Sequence, residues 1–220
     1  MIEILYEDKS VIVCIKPVGV LSQADGQESM ISLLAGQCGG EIYPIHRLDR
    51  TVGGVMVFAR SSKAAGKLSA DIQAGNFVKQ YIAAVHGRPQ EDCGTMKDIL
   101  FKDSRKNKSF VVNRPRKGTK DASLEYALID TAENSNGVCS LVRIKLHTGR
   151  THQIRVQFSS RKMPLMGDGK YGSKDNRCDT ALWSYKITFR NPADGREMSL
   201  EALPGKEFYP WDLFDWEKFM

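Results

Sequence analysis

Short runs of apolar residues alternate with polar ones along most of this chain, and their spacing predicts a protein built mainly from strands. Two runs near the N-terminus are separated by a short turn. Two others near the C-terminus flank the turn-forming sequence Asn-Pro-Ala-Asp-Gly, which predicts a hairpin. The predicted strands are residues 2–8, 11–16, 53–60, 77–87, 121–130, 137–146, 181–190 and 197–203.

Three segments, residues 28–36, 61–75 and 150–160, are instead predicted to be helices. The first places apolar residues at helical spacing and ends in glycine, while the second begins with a capping serine and also ends in glycine. Because the strands follow one another with few helices between them, we predict an α+β fold, with a large mixed or antiparallel sheet flanked by helices and loops. The length of 220 residues suits a single domain over residues 1–220.

Composition narrows the class of protein. Apolar residues make up 41% and charged residues 26%, which is typical of a globular chain. No apolar run approaches the roughly 18 residues of a membrane span, and the acidic N-terminus does not resemble a signal peptide. Five scattered cysteines favour a reducing compartment over a disulfide scaffold or a zinc site. We therefore expect a cytoplasmic protein.

Positive charge is concentrated in one segment. The net charge is +6, yet residues 101–120 hold eight Lys and Arg and one acid, a local charge of +7, so the remainder sums to −1. A solvated loop or hairpin would explain this composition. A segment that follows a phosphate backbone would explain it equally well, and its candidate contacts are Arg114, Arg116 and Lys117.

Two polar clusters are candidates for chemistry. Asp49 lies between Arg47 and Arg50, just before a predicted strand, where it is either half of a structural ion pair or a reactive carboxylate kept ionised by its neighbours. The second cluster, at residues 147–155, combines arginines and histidines near a predicted helix start and suits anions. Its histidines lack partners at ligand spacing, so a metal site is not expected. No phosphate-binding glycine motif or nucleophilic serine motif occurs.

These clusters belong to stretches that resemble the RluA-type pseudouridine synthases. HRLDRTVGG resembles the H-R-L-D signature of that family, VKQYIAAVHG its K-x-Y-x-A-x-V motif, and LHTGRTHQIRVQF its T-G-R-T-H-Q-I-R-V motif. ILYEDKSVIVCIKPVGV and MPLMGDGKYG resemble two further motifs. The five stretches are residues 46–54, 78–87, 146–158, 4–20 and 163–172, and a further similar stretch, ALWSYKITFRNP, is residues 181–192, so the resemblance extends along nearly the whole chain. The resemblance implies an enzyme that isomerises uridine to pseudouridine in a structured RNA, tRNA or rRNA, with no cofactor or metal.

The resemblance also implies roles for four residues. Asp49 matches the catalytic carboxylate, and Arg155 matches the arginine that pairs with it. Tyr81 matches the tyrosine that stacks on the target base. Arg47 matches the arginine that enters the RNA stem as the base leaves it. Extrusion of the base is required because a stacked base is inaccessible to the enzyme.

The chain departs from the family pattern after the H-R-L-D motif. The family usually has D-T-S-G where this chain has Thr51, Val52, Gly53 and Gly54, so hydroxyls that could brace the loop are missing. The sequence also predicts a catalytic domain without the separate N-terminal RNA-binding module of many relatives. We therefore expect a monomer whose basic segment supplies RNA contacts, without an obligate protein partner.

Two other function classes remain to be weighed. An RNA-binding or ribosome-assembly factor without catalysis would have little need for Asp49, Tyr81 and Arg155 together. A hydrolytic glycosidase with paired carboxylates lacks a convincing second acid near Asp49.

Overall fold

The computed structural model describes residues 1–23, 27–135 and 137–219. It is a large mixed sheet with three α-helices, which confirms the predicted α+β class. The strands are β1 (Ile4–Glu7), β2 (Val11–Lys16), β3 (Tyr43–Pro44), β4 (Gly53–Ala59), β5 (Val78–His86), β6 (Cys93–Asp103), β7 (Lys108–Val112), β8 (Thr119–Asn134), β9 (Gly137–Leu146), β10 (Leu182–Arg190) and β11 (Glu197–Glu201). The helices are α1 (Met30–Cys38), α2 (Ser62–Gln73) and α3 (Gln153–Ser160). Among the described residues, no helix is both long and apolar enough to cross a membrane.

The chain divides into two compact units. The first unit comprises Met1–Gln80 and Trp183–Pro204, and the second unit comprises Tyr81–Leu182 and Gly205–Met220. The single domain over residues 1–220 stays a prediction.

The first unit is a sheet covered by α2. β2 pairs antiparallel with both β1 and β4, β3 also pairs antiparallel with β4, and β10 pairs parallel with β4 and antiparallel with β11. The side chains of Val13 and Val57 are fully buried in one core cluster with Leu68 of α2. Ser61 caps α2 as predicted, since its side chain accepts a hydrogen bond from the backbone N–H of Ala64.

The second unit contains strands in the order β5 (from Tyr81 onward), β9, β8, β6 and β7, with antiparallel pairing from β9 to β7. Helix α3 packs against this sheet, where Val156 joins Leu100 and Ala122 in a core cluster. β6 and β7 were not predicted as strands. β6 buries only Met96 and Leu100 fully, so its sequence carries a weak alternation of apolar and polar residues.

The end of α1 differs from the prediction. Gly36 was expected to end this helix, but the helix continues to Cys38 and is capped at Gly39. Gly39 has a φ of 71°, a left-handed value that favours glycine, and its N–H donates to the carbonyl of Ala35. The helix thus ends at the glycine whose backbone adopts the terminating conformation.

Candidate active site

Asp49 and Arg47 lie on the loop that connects β3 to β4 in the first unit. Leu48 between them is buried, whereas Asp49 is half-buried and Arg47 is exposed. The backbone of Leu48 is fixed at both polar groups, because its N–H donates to Ser22 Oγ at 3.0 Å and its carbonyl accepts from the same hydroxyl at 2.7 Å. The buried leucine and this serine anchor the loop that carries the carboxylate.

The residues after Asp49 are held by a second loop, which follows β2. The carbonyl of Arg50 accepts from the N–H of Gly19 at 2.8 Å, and Arg50 Nε donates back to the carbonyl of Gly19 at 2.9 Å. A turn closes when the N–H of Val52 donates to the carbonyl of Asp49. The guanidinium of Arg50 therefore makes a backbone contact that braces the loop.

Lys16, the last residue of β2, lies at the junction of these two loops. Its side chain is fully buried, and its ammonium donates to the carbonyls of Pro17 at 2.8 Å, Val20 at 2.7 Å and Arg50 at 3.3 Å. An ammonium has three N–H groups, so all of its donors are used. Because each N–H group of the ammonium has a hydrogen-bond acceptor, the lysine can be buried in a sheet that is otherwise apolar.

Burial lowers the pKa of Lys16 to about 8, and the negative charge of Asp49 opposes that shift. The Lys16 ammonium and the Asp49 carboxylate, which both belong to the first unit, therefore attract each other. Sequence reasoning did not assign Lys16 a role. The available signal was the Lys-Pro sequence at the end of a strand that is otherwise apolar.

His46 precedes the candidate catalytic loop and is held as a neutral imidazole. Its Nε2 accepts a hydrogen bond from the N–H of Val57 at 3.2 Å, and its ring packs 5.6 Å from the ring of Phe77. Burial lowers the pKa of His46 to about 3, and the positive charge of Lys79 contributes to the same shift. This histidine therefore fixes the loop to β4 without contributing charge at neutral pH.

Gly53, which departs from the family motif, and Gly54, which matches its glycine, are both required by packing against β10. A Cβ on Gly53 would lie 2.3 Å from a ring carbon of Trp183, and one on Gly54 would lie 2.3 Å from the carbonyl oxygen of Ser184. Gly54 also has a φ of 119°. In this chain the space of a serine side chain at position 53 is filled by the Trp183 ring, so the loss of the hydroxyl is accompanied by an aromatic contact.

Arg155 lies in the first turns of α3 in the second unit and is paired with Asp168. Its Nε and Nη2 donate to the two carboxylate oxygens of Asp168 at 2.6 and 2.7 Å, and both side chains are buried. Two parallel bonds of this kind fix the guanidinium plane. Sequence reasoning missed Asp168 as a functional candidate, although it falls within one of the motifs that carry the resemblance.

Tyr171 packs beside this pair. The guanidinium carbon of Arg155 lies 5.2 Å from the centre of the Tyr171 ring, and the Tyr171 hydroxyl accepts from the N–H of Ser109 at 2.8 Å. His152 Nδ1 lies 2.9 Å from the same hydroxyl. His152 caps α3 with a φ of 53°, a left-handed backbone conformation that is uncommon outside glycine. The start of α3 and the Arg155 side chain are thus fixed by one polar network.

The other predicted site residues also lie in the second unit. Tyr81 is in β5 and is buried, whereas Arg114, Arg116 and Lys117 lie exposed on the connection between β7 and β8. The pairing of Asp49 with Arg155 stays a prediction. Within the described residues, no group of three or more His, Cys, Asp or Glu side chains could hold a metal ion.

Comparison with known proteins gives one consistent result. Residues 10–160 match the family described as RNA pseudouridylate synthase. The chain is 30% identical to the tRNA pseudouridine synthase C of Pasteurella multocida, over 98% of this chain and 97% of that protein. It is 32% identical to a protein of Aquifex aeolicus named as an uncharacterized RNA pseudouridine synthase, over 96% of this chain and 72% of the relative.

A solved structure shares the fold. The human RNA pseudouridylate synthase domain containing 1 superposes with a TM-score of 0.82, over 96% of this chain and 86% of that chain, at 21% sequence identity. At this level of identity the likeness concerns the fold.

Proposed function

Because this chain belongs to the RNA pseudouridylate synthase family, whose members are isomerases, we propose that it converts uridine to pseudouridine in tRNA or ribosomal RNA with Asp49 as the catalytic carboxylate. The family match confirms the resemblance read from the sequence motifs. The observation that carries the proposal is the position of Asp49, which lies inside the matched region on a loop braced by Ser22, Gly19 and Lys16.

The proposed reaction conserves atoms and electrons. The bond between ribose C1′ and uracil N1 breaks, the uracil turns, and a bond forms between C1′ and C5. The proton leaves C5 and N1 gains one, so the product is an isomer of the substrate. Asp49 acts as the nucleophile or the base in this sequence, and the positive charge of Lys16 attracts its carboxylate.

Arg155, Tyr81 and Arg47 are proposed to act on the substrate around Asp49. Arg155 pairs with the carboxylate and is itself oriented by Asp168. Tyr81 stacks on the extruded base, and such stacking is worth about 1–3 kcal/mol, which offsets part of the cost of unstacking. Arg47, an exposed cation two residues before Asp49, occupies the space that the base leaves.

The basic segment at residues 101–120 is proposed to bind the RNA backbone. Arg114, Arg116 and Lys117 are exposed in it, and replacing all three with alanine should weaken RNA binding. The slope of log affinity against log salt should also fall, by roughly 1 for each phosphate that the protein no longer binds. The matched control replaces three exposed cations of the first unit, Lys9, Lys63 and Arg190. If the variant of the basic segment has the same RNA affinity and salt slope as the control variant, the segment is a solvated loop that does not bind RNA.

The function is tested by Asp49→Asn. Asparagine has nearly the shape of aspartate, so the fold and RNA affinity should persist, with affinity within about tenfold, since only one charge is removed. Pseudouridine formation should fall by more than the ~10²–10⁴ typical of general acid–base assistance. Asp71→Asn, in α2 of the same unit, is the control.

The assay incubates labelled cellular RNA with each protein and measures the pseudouridine formed. An Asp49→Asn protein as active as its parent would assign Asp49 a structural role. A parent that binds RNA tightly but modifies no uridine would favour the alternative of a catalytically inactive RNA-binding or assembly factor.

A further inference from the structure

Two phenylalanines lie side by side on one face of the β6–β7 hairpin. Phe101 of β6 and Phe110 of β7 are direct partners in the antiparallel register, so their side chains project from the same face. The side chain of Phe110 is 37% exposed, and β7 ends the strand order of the second unit. A single exposed ring is ordinary on a protein surface, so its surroundings decide whether it has a function.

A cation covers the inner ring. The Arg116 guanidinium carbon lies 4.3 Å from the centre of the Phe101 ring, within the range of a cation–π contact. The loop that carries Arg116 is fixed by Thr119, whose hydroxyl accepts from the N–H of Arg116 at 3.1 Å and donates to its carbonyl at 2.7 Å. The backbone that carries this guanidinium beside the Phe101 ring is therefore fixed before any ligand binds.

A second cation is held beside the outer ring. Lys108 Nζ lies 5.8 Å from the centre of the Phe110 ring and donates to the carbonyl of Lys170 at 2.5 Å. The acid in this segment, Asp103, accepts hydrogen bonds from the backbone N–H groups of Arg105 and Lys106 in the hairpin turn. Its carboxylate is thus committed to the turn, and cations flank both rings.

The charge is mixed farther along the same strands. A cavity of about 470 Å³ is lined in part by Ile99, Val112 and Asp121, which lie on the same face two residues along the strands from the phenylalanines and their register partners, and Lys97 lines it as well. An acid beside this lysine makes the cavity less attractive to a phosphate than the turn and the loop are, but leaves it open to an uncharged base. Phosphates are therefore favoured near the turn and the loop, and bases near the rings and the cavity.

We propose that the hairpin face formed by Phe101, Phe110, Lys108 and Arg116 binds an unpaired segment of the substrate RNA, with a base stacked on Phe110 and its phosphates against the two cations. The proposal rests on the proposed function in taking RNA as the substrate. Rings beside fixed cations suit single-stranded RNA because every base has a face that stacks, whereas a continuous duplex presents only its phosphates and grooves. The site specifies an RNA with a loop, bulge or single-stranded end.

The test compares Phe110→Ala with Phe208→Ala, which removes an aromatic side chain that is 65% exposed in the same unit but outside the basic segment. The probe is a ten-nucleotide oligouridine, with affinity measured by fluorescence anisotropy. Loss of one stacked base should weaken binding about 5- to 150-fold in the Phe110 variant, while the Phe208 variant binds as the parent does. Equal affinities for both variants would overturn the proposal.

A second variant reports binding at the ring directly. Phe110→Trp places an indole at the site, and oligouridine should quench its emission relative to the parent, whereas a fully paired RNA duplex should quench it little. Equal quenching by both RNAs would show that the hairpin face does not prefer unpaired nucleotides, which contradicts the proposal. Quenching by polyglutamate but by neither RNA would identify an acidic protein surface as the occupant and would also overturn the proposal.

Turnover measurements distinguish a failure of this binding site from a failure of the proposed function. With a structured RNA substrate, Phe110→Ala should raise KM and leave kcat within about twofold, since it removes binding and not chemistry. A parent that makes no pseudouridine but shows the Phe110-dependent binding would refute the function and leave this site standing. An active parent whose KM and RNA affinity do not change in the Phe110→Ala variant would refute this binding site and leave the proposed function standing.

Discussion

The Asp168–Arg155 pair gives a sharp prediction, because both groups are removed from water. The Arg155 side chain is 7% exposed and that of Asp168 is 1% exposed, and two hydrogen bonds at 2.6 and 2.7 Å join them. Asp168→Asn keeps the shape of the side chain but turns one acceptor into a donor that faces the guanidinium. It also removes the charge that compensates a buried cation.

Removing one partner of a buried ion pair costs about 3–5 kcal/mol, because the remaining charge stays buried without compensation. For a chain of this size each kcal/mol lowers Tm by roughly 2–4 °C, so Asp168→Asn should lower Tm by about 6–20 °C. The comparison is Asp92→Asn. Asp92 pairs with Arg88 at 2.9 Å, but those side chains are 71% and 55% exposed, so the removal of this pair should cost about 0–1 kcal/mol.

Unfolding is followed by tryptophan fluorescence for both variants, to which Trp211 and Trp216 contribute from the second unit and Trp183 from the first. Activity is then measured well below the lower Tm, where both proteins are folded. If Arg155 acts on the substrate, its loss of orientation should lower kcat by about 10²-fold in the Asp168 variant and leave the Asp92 variant unchanged.

Equal losses of stability in Asp168→Asn and Asp92→Asn would refute the reasoning from burial. A parental kcat in a destabilised Asp168→Asn protein would refute the positioning role and leave Asp168 as a structural residue.

Three further predictions concern single residues. Tyr81→Phe should keep RNA affinity and lose turnover, whereas Tyr81→Ala should lose both; equal, mild losses in binding and product assays would place Tyr81 among packing residues. Gly53→Ser should destabilise the first unit by about 1–3 kcal/mol in denaturant, because the side chain meets the Trp183 ring, and Trp183→Leu should reduce that cost; an undiminished cost would contradict this cause. Hydrogen bonds from Arg177 hold the pKa of Asp175 well below its usual range, so their stabilisation is present above about pH 4 and is lost at lower pH. Asp175→Asn should therefore flatten the fall of Tm between about pH 5 and pH 2, and a parental slope would count against it.

The fold was predictable wherever a strand buries enough of its side chains to show in its sequence. β4 is buried at every position, and its apolar run was assigned to a strand. β6 and β7 were missed because hairpin strands with one largely exposed face carry too few apolar residues for the pattern to register. The register that places Phe110 opposite Phe101 is set by pairing between strands, which no local pattern specifies.

The candidate site was predictable to the level of its motif residues but not of their supports. Asp49 and Arg155 were found because their neighbours along the chain resemble known motifs. Asp168 was not singled out, since its significance depends on a guanidinium 13 residues away that α3 turns toward it. A carboxylate in a glycine-rich passage has the same sequence appearance whether it faces solvent or a buried cation.

The surroundings of Asp49 show why proximity along the chain is a poor guide to electrostatics. The sequence suggested Arg47 and Arg50 as the charges that keep this carboxylate ionised, because they are its neighbours. The Arg50 guanidinium instead donates to the carbonyl of Gly19, while the fully buried ammonium of Lys16, 33 positions earlier in the chain, interacts electrostatically with Asp49. A buried charge is screened less by water than an exposed one, so it acts more strongly at a given distance. Lys16 also donates a hydrogen bond to the carbonyl of Arg50, so one side chain both braces the loop and contributes to the field at its carboxylate.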